Sequence, residues 1–294
     1  MFPIIPANSA AGGKKGIFGF GSSAIEYTGI TNLVSATGVV ASDTTAVGTG
    51  RTNLAACEFG GDQGIFGYGK NPDVSTINLV SNAGVVASDA AGAGTARHAL
   101  AACSFGGDQG IFGFGHGPVS MTNKVSNAGV VASDVSGVGT ARNHPAATEF
   151  GGDKGIFGFG SPLHSVGSTI TNLVSNGGVV ASDVSGVGTA VRESAACSYG
   201  EDKGIFGFGD DGSATGVTNL VSNAGVVQSD TAAVGTARYA PAATQYGADT
   251  GIFGYGYTTG HTTLINLVSN TGVIASDGAG AGTARSYLAA CSWG

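Results

Sequence analysis

A motif of six residues, Gly-Ile-Phe-Gly-(Phe/Tyr)-Gly, occurs six times in the 294 residues of the chain and constrains its fold more than any other feature. The copies are 45 to 49 residues apart and begin at Gly16, Gly64, Gly110, Gly155, Gly204 and Gly251. A period of this length without a helical pattern is typical of a sheet unit repeated around an axis, one propeller blade per copy. Six copies therefore predict an all-β fold, a six-bladed β-propeller.

Each copy contains four short strand candidates separated by clusters of Gly, Asn, Ser and Asp. In the third copy these candidates are residues 100–105, 111–115, 121–125 and 130–133. We therefore expect four antiparallel strands per blade. Glycines alternate with Ile17, Phe18 and Phe20 in the second strand. This alternation predicts tight contact between neighbouring blades, because large rings fit there only where a side chain is missing.

The two ends of the chain supply complementary parts of one repeat. Residues 288–294 copy a first strand that no second strand follows, whereas the N-terminal copy begins at its second strand with Gly16. The ring is thus predicted to close through a blade shared between the N- and C-termini, which removes an open sheet edge. Residues 13–294 would form a single propeller domain. Residues 1–12 would be an N-terminal extension, either a tail or a segment that docks on another chain.

Composition and charge exclude several classes of protein. The 54 glycines come with only 7 prolines and no Gly-X-Y period, which excludes collagen and argues against a disordered linker. The net charge of -7, with 12 scattered Lys and Arg residues, predicts no nucleic-acid partner. Apolar runs of a few residues predict no membrane insertion. The first residues lack the pattern of a secretory signal, which predicts a cytoplasmic or virion-associated protein.

Constant positions of the repeat indicate structural roles. The cysteines Cys57, Cys103, Cys197 and Cys291 share one position with Thr148 and Thr244, a pattern typical of small buried residues and not of disulfides. An Asp follows a third-strand Asn by 11 residues in every copy, and an Arg follows that Asp by 8 in five copies. In the fourth copy Val191 takes the arginine position. The repetition predicts a hydrogen-bond or ion-pair lattice that locks the loops.

Variation between the copies is confined to two loops. All length differences fall between the second and third strands, and variable side chains also follow the Gly-Thr-Ala-Arg segment. In an up-and-down blade these two loops lie on one face, which we call the top face. A constant scaffold with variable loops on one face is how proteins place binding residues. We predict ligand-binding residues at Asn53, His98, His144, Glu193, Tyr239, Tyr287, Tyr27, Asn71, His116, His164, Tyr257 and His261.

The stretch from Arg97 through Leu100-Ala101-Ala102-Cys103-Ser104-Phe105-Gly106-Gly107-Asp108, followed by the motif at 110–115, resembles the kelch-like propeller repeats. The resemblance is to the glycine-rich versions found in bacteriophage and marine metagenomic sequences, and it covers the chain from about residue 12. It implies an interaction scaffold, such as a part of a phage tail, and no particular ligand.

Three functions remain open from the sequence. The first is a non-catalytic binding module, a phage-type adhesin that recognises a glycan or a protein, because tyrosines and amides at loop tips suit stacking on sugar rings. The second is an enzyme, a hydrolase or a metal-dependent lyase, in which His98, His144 and Glu193 converge on the channel or on a zinc ion. The third is a purely structural virion protein. We predict the first, without a cofactor, and leave the metal, the ligand and the oligomeric state open.

Overall fold

The computed structural model describes residues 13–45, 47–232 and 234–294, which contain strands and no helix. No described helix is therefore long and apolar enough to span a membrane. The N-terminal extension predicted at residues 1–12 lies outside the described residues. In chain order the strands are β1 (Lys15–Gly19), β2 (Thr31–Val34), β3 (Ala55–Phe59), β4 (Gln63–Gly67), β5 (Ile77–Val80), β6 (Ala101–Phe105), β7 (Gln109–Gly115), β8 (Val119–Val125) and β9 (Ala146–Phe150). They continue with β10 (Lys154–Gly158), β11 (Thr171–Val174), β12 (Ala195–Tyr199), β13 (Lys203–Asp210), β14 (Ala214–Val221), β15 (Ala242–Tyr246), β16 (Thr250–Gly254), β17 (Leu264–Val268), β18 (Gly278–Ala279) and β19 (Ala289–Trp293).

These strands form six small antiparallel sheets, one for each copy of the motif. We number them by that copy: sheet 1 is β19-β1-β2, sheet 2 β3-β4-β5, sheet 3 β6-β7-β8, sheet 4 β9-β10-β11, sheet 5 β12-β13-β14 and sheet 6 β15-β16-β17-β18. Sheet 1 combines the last and the first strand of the described chain, with Lys15 opposite Trp293 and Gly19 opposite Ala289. The predicted pairing of the two ends is therefore present.

The prediction of four strands per sheet is wrong for five of the six sheets, and the fourth strand of sheet 6 has only 2 residues, because a bulge interrupts the pairing of this segment. In sheet 3 the segment after β8 pairs with it at separated bridges, which include Val125 to Val131 and Thr122 to Val135. Three steps separate these bridges on β8 (125 minus 122) and four on the other segment (135 minus 131), so one extra residue interrupts the ladder. The Asn123 amide donates to the carbonyl of Ala132 (3.0 Å) and to the Asp134 carboxylate (2.9 Å). Side-chain bonds thus replace part of a fourth-strand ladder.

The apolar core lies between adjacent sheets, as the glycine alternation predicted. One cluster joins Phe59, Ile65 and Tyr68 of sheet 2 to Phe112 and Val125 of sheet 3. A Cβ atom added to the last glycine of each Gly-Ile-Phe-Gly would come within 2.7 to 3.0 Å of a phenylalanine in the next sheet. These pairs are Gly19 with Phe66, Gly67 with Phe112, Gly113 with Phe157, Gly158 with Phe206, Gly207 with Phe253 and Gly254 with Phe18.

The cysteines contribute to the same interfaces as small buried side chains. All four are buried and free, and the Sγ atom of Cys57 faces the first glycine of β7, Gly110, leaving no room there for a Cβ atom. Burial raises the pKa of Cys57 and of Cys197 to about 12, so both thiols stay protonated and unreactive at neutral pH. The packing role predicted for this repeat position is confirmed.

The predicted polar lattice is present and connects each repeat to the next. In sheet 3 Asp134 accepts hydrogen bonds from Asn123 Nδ2 (2.9 Å) and from the backbone and hydroxyl of Thr95 (2.9 and 2.7 Å), which precedes β6. The buried Arg97 donates to Asn123 Oδ1 (2.7 Å), and its guanidinium lies 4.4 Å above the Tyr68 ring of sheet 2. The Asn–Asp bond is 2.8 to 2.9 Å in all six repeats. The lattice therefore fixes the loops of the top face to the sheets below them.

We predict that Gly113→Ala lowers the free energy of unfolding by about 1–3 kcal/mol, the usual cost of overpacking a filled interior. The new methyl group would lie 2.7 Å from the Cζ atom of Phe157. Gly177→Ala is the matched control, because its Cβ would meet only the Ser175 hydroxyl, at 3.8 Å. Urea denaturation of both variants measures the difference, and an equal effect at the two positions would contradict the steric account.

Candidate functional site

The six segments that enter the first strands meet around one small cavity. The residue two positions after each loop arginine, or after Val191 in the fourth repeat, lines it: Asn53, Ala99, His144, Glu193, Ala240 and Tyr287. We call these six the inner residues. Each donates its backbone N–H to the carbonyl of the inner residue of the preceding repeat at 2.8 to 3.2 Å, and Asn53 donates to Tyr287. The cavity they share has a volume of about 70 Å³.

The backbone of the inner residues is unusual. All six have φ between 49° and 56°, in the left-handed region. This conformation costs a residue with a Cβ atom roughly 1–2 kcal/mol, yet none of the six is a glycine in a chain with 54 glycines. The cycle of backbone bonds holds the conformation in place. This backbone presents polar side chains to the cavity in four of the repeats and only a methyl group at Ala99 and Ala240.

The polar inner residues give the cavity a mixed character. The Tyr287 hydroxyl donates to Glu193 Oε2 at 2.8 Å, and burial raises the pKa of Glu193 in spite of this bond. Burial, followed by the positive charges nearby, lowers the pKa of His144 to about 3, so its imidazole is neutral at physiological pH. Its ring lies 6.0 Å from that of Tyr287. The cavity thus presents hydrogen-bond donors and acceptors, among them a neutral imidazole and the Glu193 carboxyl group.

A second set of side chains lies next to the inner residues. The residue before each inner residue shares one or two backbone hydrogen bonds of 2.7 to 3.2 Å with the residue that follows Gly-x-Gly. The resulting pairs, which we call the outer pairs, are Thr52–Lys70, His98–His116, Asn143–Ser161, Arg192–Asp210, Tyr239–Tyr257 and Ser286–Ser22.

Three outer pairs carry matched side chains. The rings of His98 and His116 stack with centroids 4.3 Å apart. Arg192 Nη2 lies 2.7 Å from Asp210 Oδ2, forming a salt bridge. Tyr239 and Tyr257 have centroids 5.3 Å apart at an interplanar angle of 32°. Each of these repeats therefore offers a different chemistry at the same place in its scaffold.

Ten of the twelve residues predicted for the site are connected to this arrangement. Asn53, His144, Glu193 and Tyr287 are inner residues, and His98, His116, Tyr239 and Tyr257 belong to outer pairs. His164 Nδ1 accepts from the Asn143 amide at 2.7 Å, and His261 Nδ1 lies 3.1 Å from the Ser286 hydroxyl. The side chains of Tyr27 and Asn71 are exposed and form no hydrogen bond with either set, although the Tyr27 backbone pairs with that of Ser22. Whether any of the twelve binds a ligand stays a prediction.

The enzyme hypothesis grouped His98 with His144 and Glu193, but these residues occupy two different positions. His98 lies in an outer pair, where its Nδ1 atom contacts Asp73 Oδ1 at 2.8 Å. Asp73, Arg192 and Asp210 were not predicted as site residues. The sequence does hold a signal for Arg192 and Asp210. Arg192 directly follows the arginine position of its repeat, as His98 does, and Asp210 directly follows Gly-x-Gly, as His116 does.

A second polar cavity, of about 60 Å³, is lined by the first strand of all six sheets and was missed entirely. One polar residue of each first strand lines this cavity, at the position between the cysteine or threonine and the strand's aromatic residue. These residues are Glu58, Ser104, Glu149, Ser198, Gln245 and Ser292. The Lys14 ammonium lies 2.6 Å from Glu58 Oε2, and burial raises the pKa of Glu149 to about 7. The sequence signal was a polar, variable residue between two buried ones, the alternation of a strand with one face on a cavity.

No protein-family model matches the chain, and a search of the curated proteins found no match. Functional inference therefore depends on the geometry of the two cavities and of the outer pairs.

We predict that Glu149→Gln raises the free energy of unfolding at pH 8 and leaves it nearly unchanged at pH 4.5. The raised pKa means that the folded protein retains a proton on Glu149 that the unfolded chain releases above about pH 4.5. Stability is therefore lost as the pH rises from 4.5 to about 7, and glutamine abolishes this loss. The gain at pH 8 is at most about 3 kcal/mol, reduced by solvent screening.

Urea denaturation at several pH values measures this effect. Glu201→Gln, which changes an exposed glutamate in a neighbouring turn, is the control. A parallel pH dependence in the wild type and in Glu149→Gln would contradict the assignment.

Proposed function

We propose that the chain is a six-bladed β-propeller that binds a carbohydrate across its top face and does not catalyse a reaction. Three cyclic sets of contacts support the propeller. The strands β3, β6, β9, β12, β15 and β19 each contact the next, and β19 contacts β3. The glycine–phenylalanine contacts and the backbone bonds of the inner residues likewise return from the last repeat to the first. Such radial packing is how propellers protect their sheet edges.

The observation that carries the carbohydrate proposal is the group of tyrosines at one side of the cavity. The Tyr239 ring lies 5.3 Å from Tyr257 and 6.4 Å from Tyr287, and all three side chains are partly exposed. His261 packs edge-on against Tyr257 at 5.2 Å. Aromatic rings that keep one face open to solvent can stack on the apolar face of a sugar ring.

Charged groups beside the tyrosines support the same ligand class. The Glu193 carboxylate contacts Tyr287, and burial together with this carboxylate raises the pKa of Tyr239. The Arg192–Asp210 salt bridge belongs to the same outer set and is partly exposed. Carboxylate oxygens accept hydrogen bonds from sugar hydroxyls and a guanidinium donates to them. Aromatic faces next to such groups favour a sugar over a purely apolar ligand.

The size of the cavity favours a ligand that lies across the surface. Pockets that enclose a small molecule usually measure on the order of 300–1,000 Å³, whereas the cavity of the inner residues measures about 70 Å³. One substituent of a sugar fits there, with the rest of the glycan over the tyrosines. Repeated weak contacts of this kind suit binding to a polymeric or surface-bound glycan.

The other sequence predictions stay predictions. They comprise the resemblance to kelch-like phage repeats, a cytoplasmic or virion-associated location, a protein ligand, and the enzyme and structural-virion alternatives. No contact among the described residues favours one of them over carbohydrate binding.

We predict that the purified chain binds specific glycans on a glycan array and that Tyr239→Ala/Tyr257→Ala weakens this binding roughly 5- to 150-fold. Two stacking contacts contribute about 1–3 kcal/mol together, which corresponds to this loss. Ile25→Ala is the control, because Ile25 is an exposed side chain in a loop of sheet 1 and is not one of the twelve residues predicted for the site. The absence of any bound glycan, or equal binding by the double variant, would reject the proposal.

A further inference from the structure

The outer pair His98–His116 lies next to a carboxylate, and this combination differs from every other outer pair. Asp73 belongs to the loop between β4 and β5, His98 precedes β6, and His116 begins the short turn between β7 and β8. Side-chain ligand atoms of the three residues all lie within 4.8 Å of one another. We propose that Asp73, His98 and His116 together bind one divalent transition-metal ion of the zinc type. This site is independent of carbohydrate binding.

The distances among the three side chains suit a small ion. Zinc bonds of roughly 2.0–2.1 Å place the ligand atoms of a tetrahedral site roughly 3.4 Å apart. Asp73 Oδ1 and His98 Nδ1 are 2.8 Å apart, and the full set spans at most 4.8 Å. The Asp73–His98 separation thus falls below the required value, and the other separations stay within 4.8 Å. Rotation of the exposed side chains of Asp73 and His116 can bring the ligand atoms to the zinc distance.

The scaffold holds the central ligand in place and leaves the site open. His98 is buried, with a side-chain exposure of 8%. The backbone N–H of His116 donates to the carbonyl of His98 at 2.8 Å, which fixes the two histidines relative to each other. Asp73 and His116 are exposed, so an ion can enter from solvent and retain a water molecule as fourth ligand. Three protein ligands with one open position are typical of a zinc site that binds a further group.

The donor set selects the class of metal. Imidazole nitrogens suit zinc, copper, nickel and iron, whereas calcium and magnesium take oxygen ligands. Two imidazoles with one carboxylate therefore favour a transition metal. The ring of His164 lies 5.1 Å from that of His116, but its Nδ1 atom bonds the Asn143 amide at 2.7 Å, so we leave it out of the set.

Isothermal titration calorimetry tests the site on the full chain, expressed without a polyhistidine tag and treated with a chelator. Zinc chloride should bind with one ion per chain, and magnesium and calcium chlorides should not. His116→Ala and His98→Ala should each weaken zinc binding at least tenfold. His116 is exposed, so its variant serves if the His98 variant fails to fold. His261→Ala and Asp211→Asn are controls elsewhere in the same loops and should bind zinc like the wild type.

Absorption spectroscopy with cobalt(II) in place of zinc tests the same site independently. Visible absorption bands of four-coordinate cobalt should appear on titration of the wild type and of His261→Ala, and be lost in His116→Ala. The absence of zinc binding, or zinc binding that both histidine variants retain, would overturn the proposal. Glycan binding by His116→Ala would show that the two proposals are independent, and zinc binding by the Tyr239→Ala/Tyr257→Ala variant provides the converse test.

Discussion

The packing of each sheet against the next depends on the absence of a side chain at one position of the second strand. At Gly113 a single methyl group would lie 2.7 Å from Phe157, and the same relation recurs at every interface between sheets. Because the phenylalanine rings fill this space completely, neighbouring sheets approach at a fixed distance. The cavity of the inner residues lies where the first strands of these sheets begin, so its dimensions follow from that spacing.

The polar lattice holds the loops of the top face in fixed positions on these sheets. Burial acts to raise the pKa of Asp134, but the hydrogen bonds from Thr95 and Asn123 outweigh it and lower that pKa, so the carboxylate is held charged beside the buried Arg97. In the fourth repeat Val191 occupies the arginine position and packs with Phe159 and Phe206 instead. Arg192 is thereby placed in an outer pair, where it bonds Asp210. Valine at the arginine position of the fourth repeat thus accompanies a guanidinium that lies on the partly exposed surface and not in the interior.

Much of the fold could be predicted from the sequence, because period and spacing are properties of the repeat itself. The repeat number, the pairing of β19 with β1, the glycine contacts and the Asn–Asp lattice all follow from residues that every copy shares. The interruption of the fourth strand could not be predicted, since residues 130–133 have the pattern of an ordinary strand. Only the extra residue between the bridges of Val131 and Val135, next to which the Asn123 side chain bonds to the Ala132 carbonyl, reveals it.

The sequence predicted which loops form the candidate site but not which position of each loop lines the cavity, because that position is determined by the backbone conformation. Counted from the repeat's arginine, His98 and His144 differ by one position. A left-handed φ at a position that is never glycine leaves no mark in the sequence, so nothing there shows that this one step separates an outer pair from an inner residue. Asp73 reaches His98 through a loop that no other repeat shares in length or composition. In a scaffold of near-identical repeats, the residues that all copies share therefore determine where each loop side chain lies. The few residues that differ between copies determine which chemical groups each repeat presents.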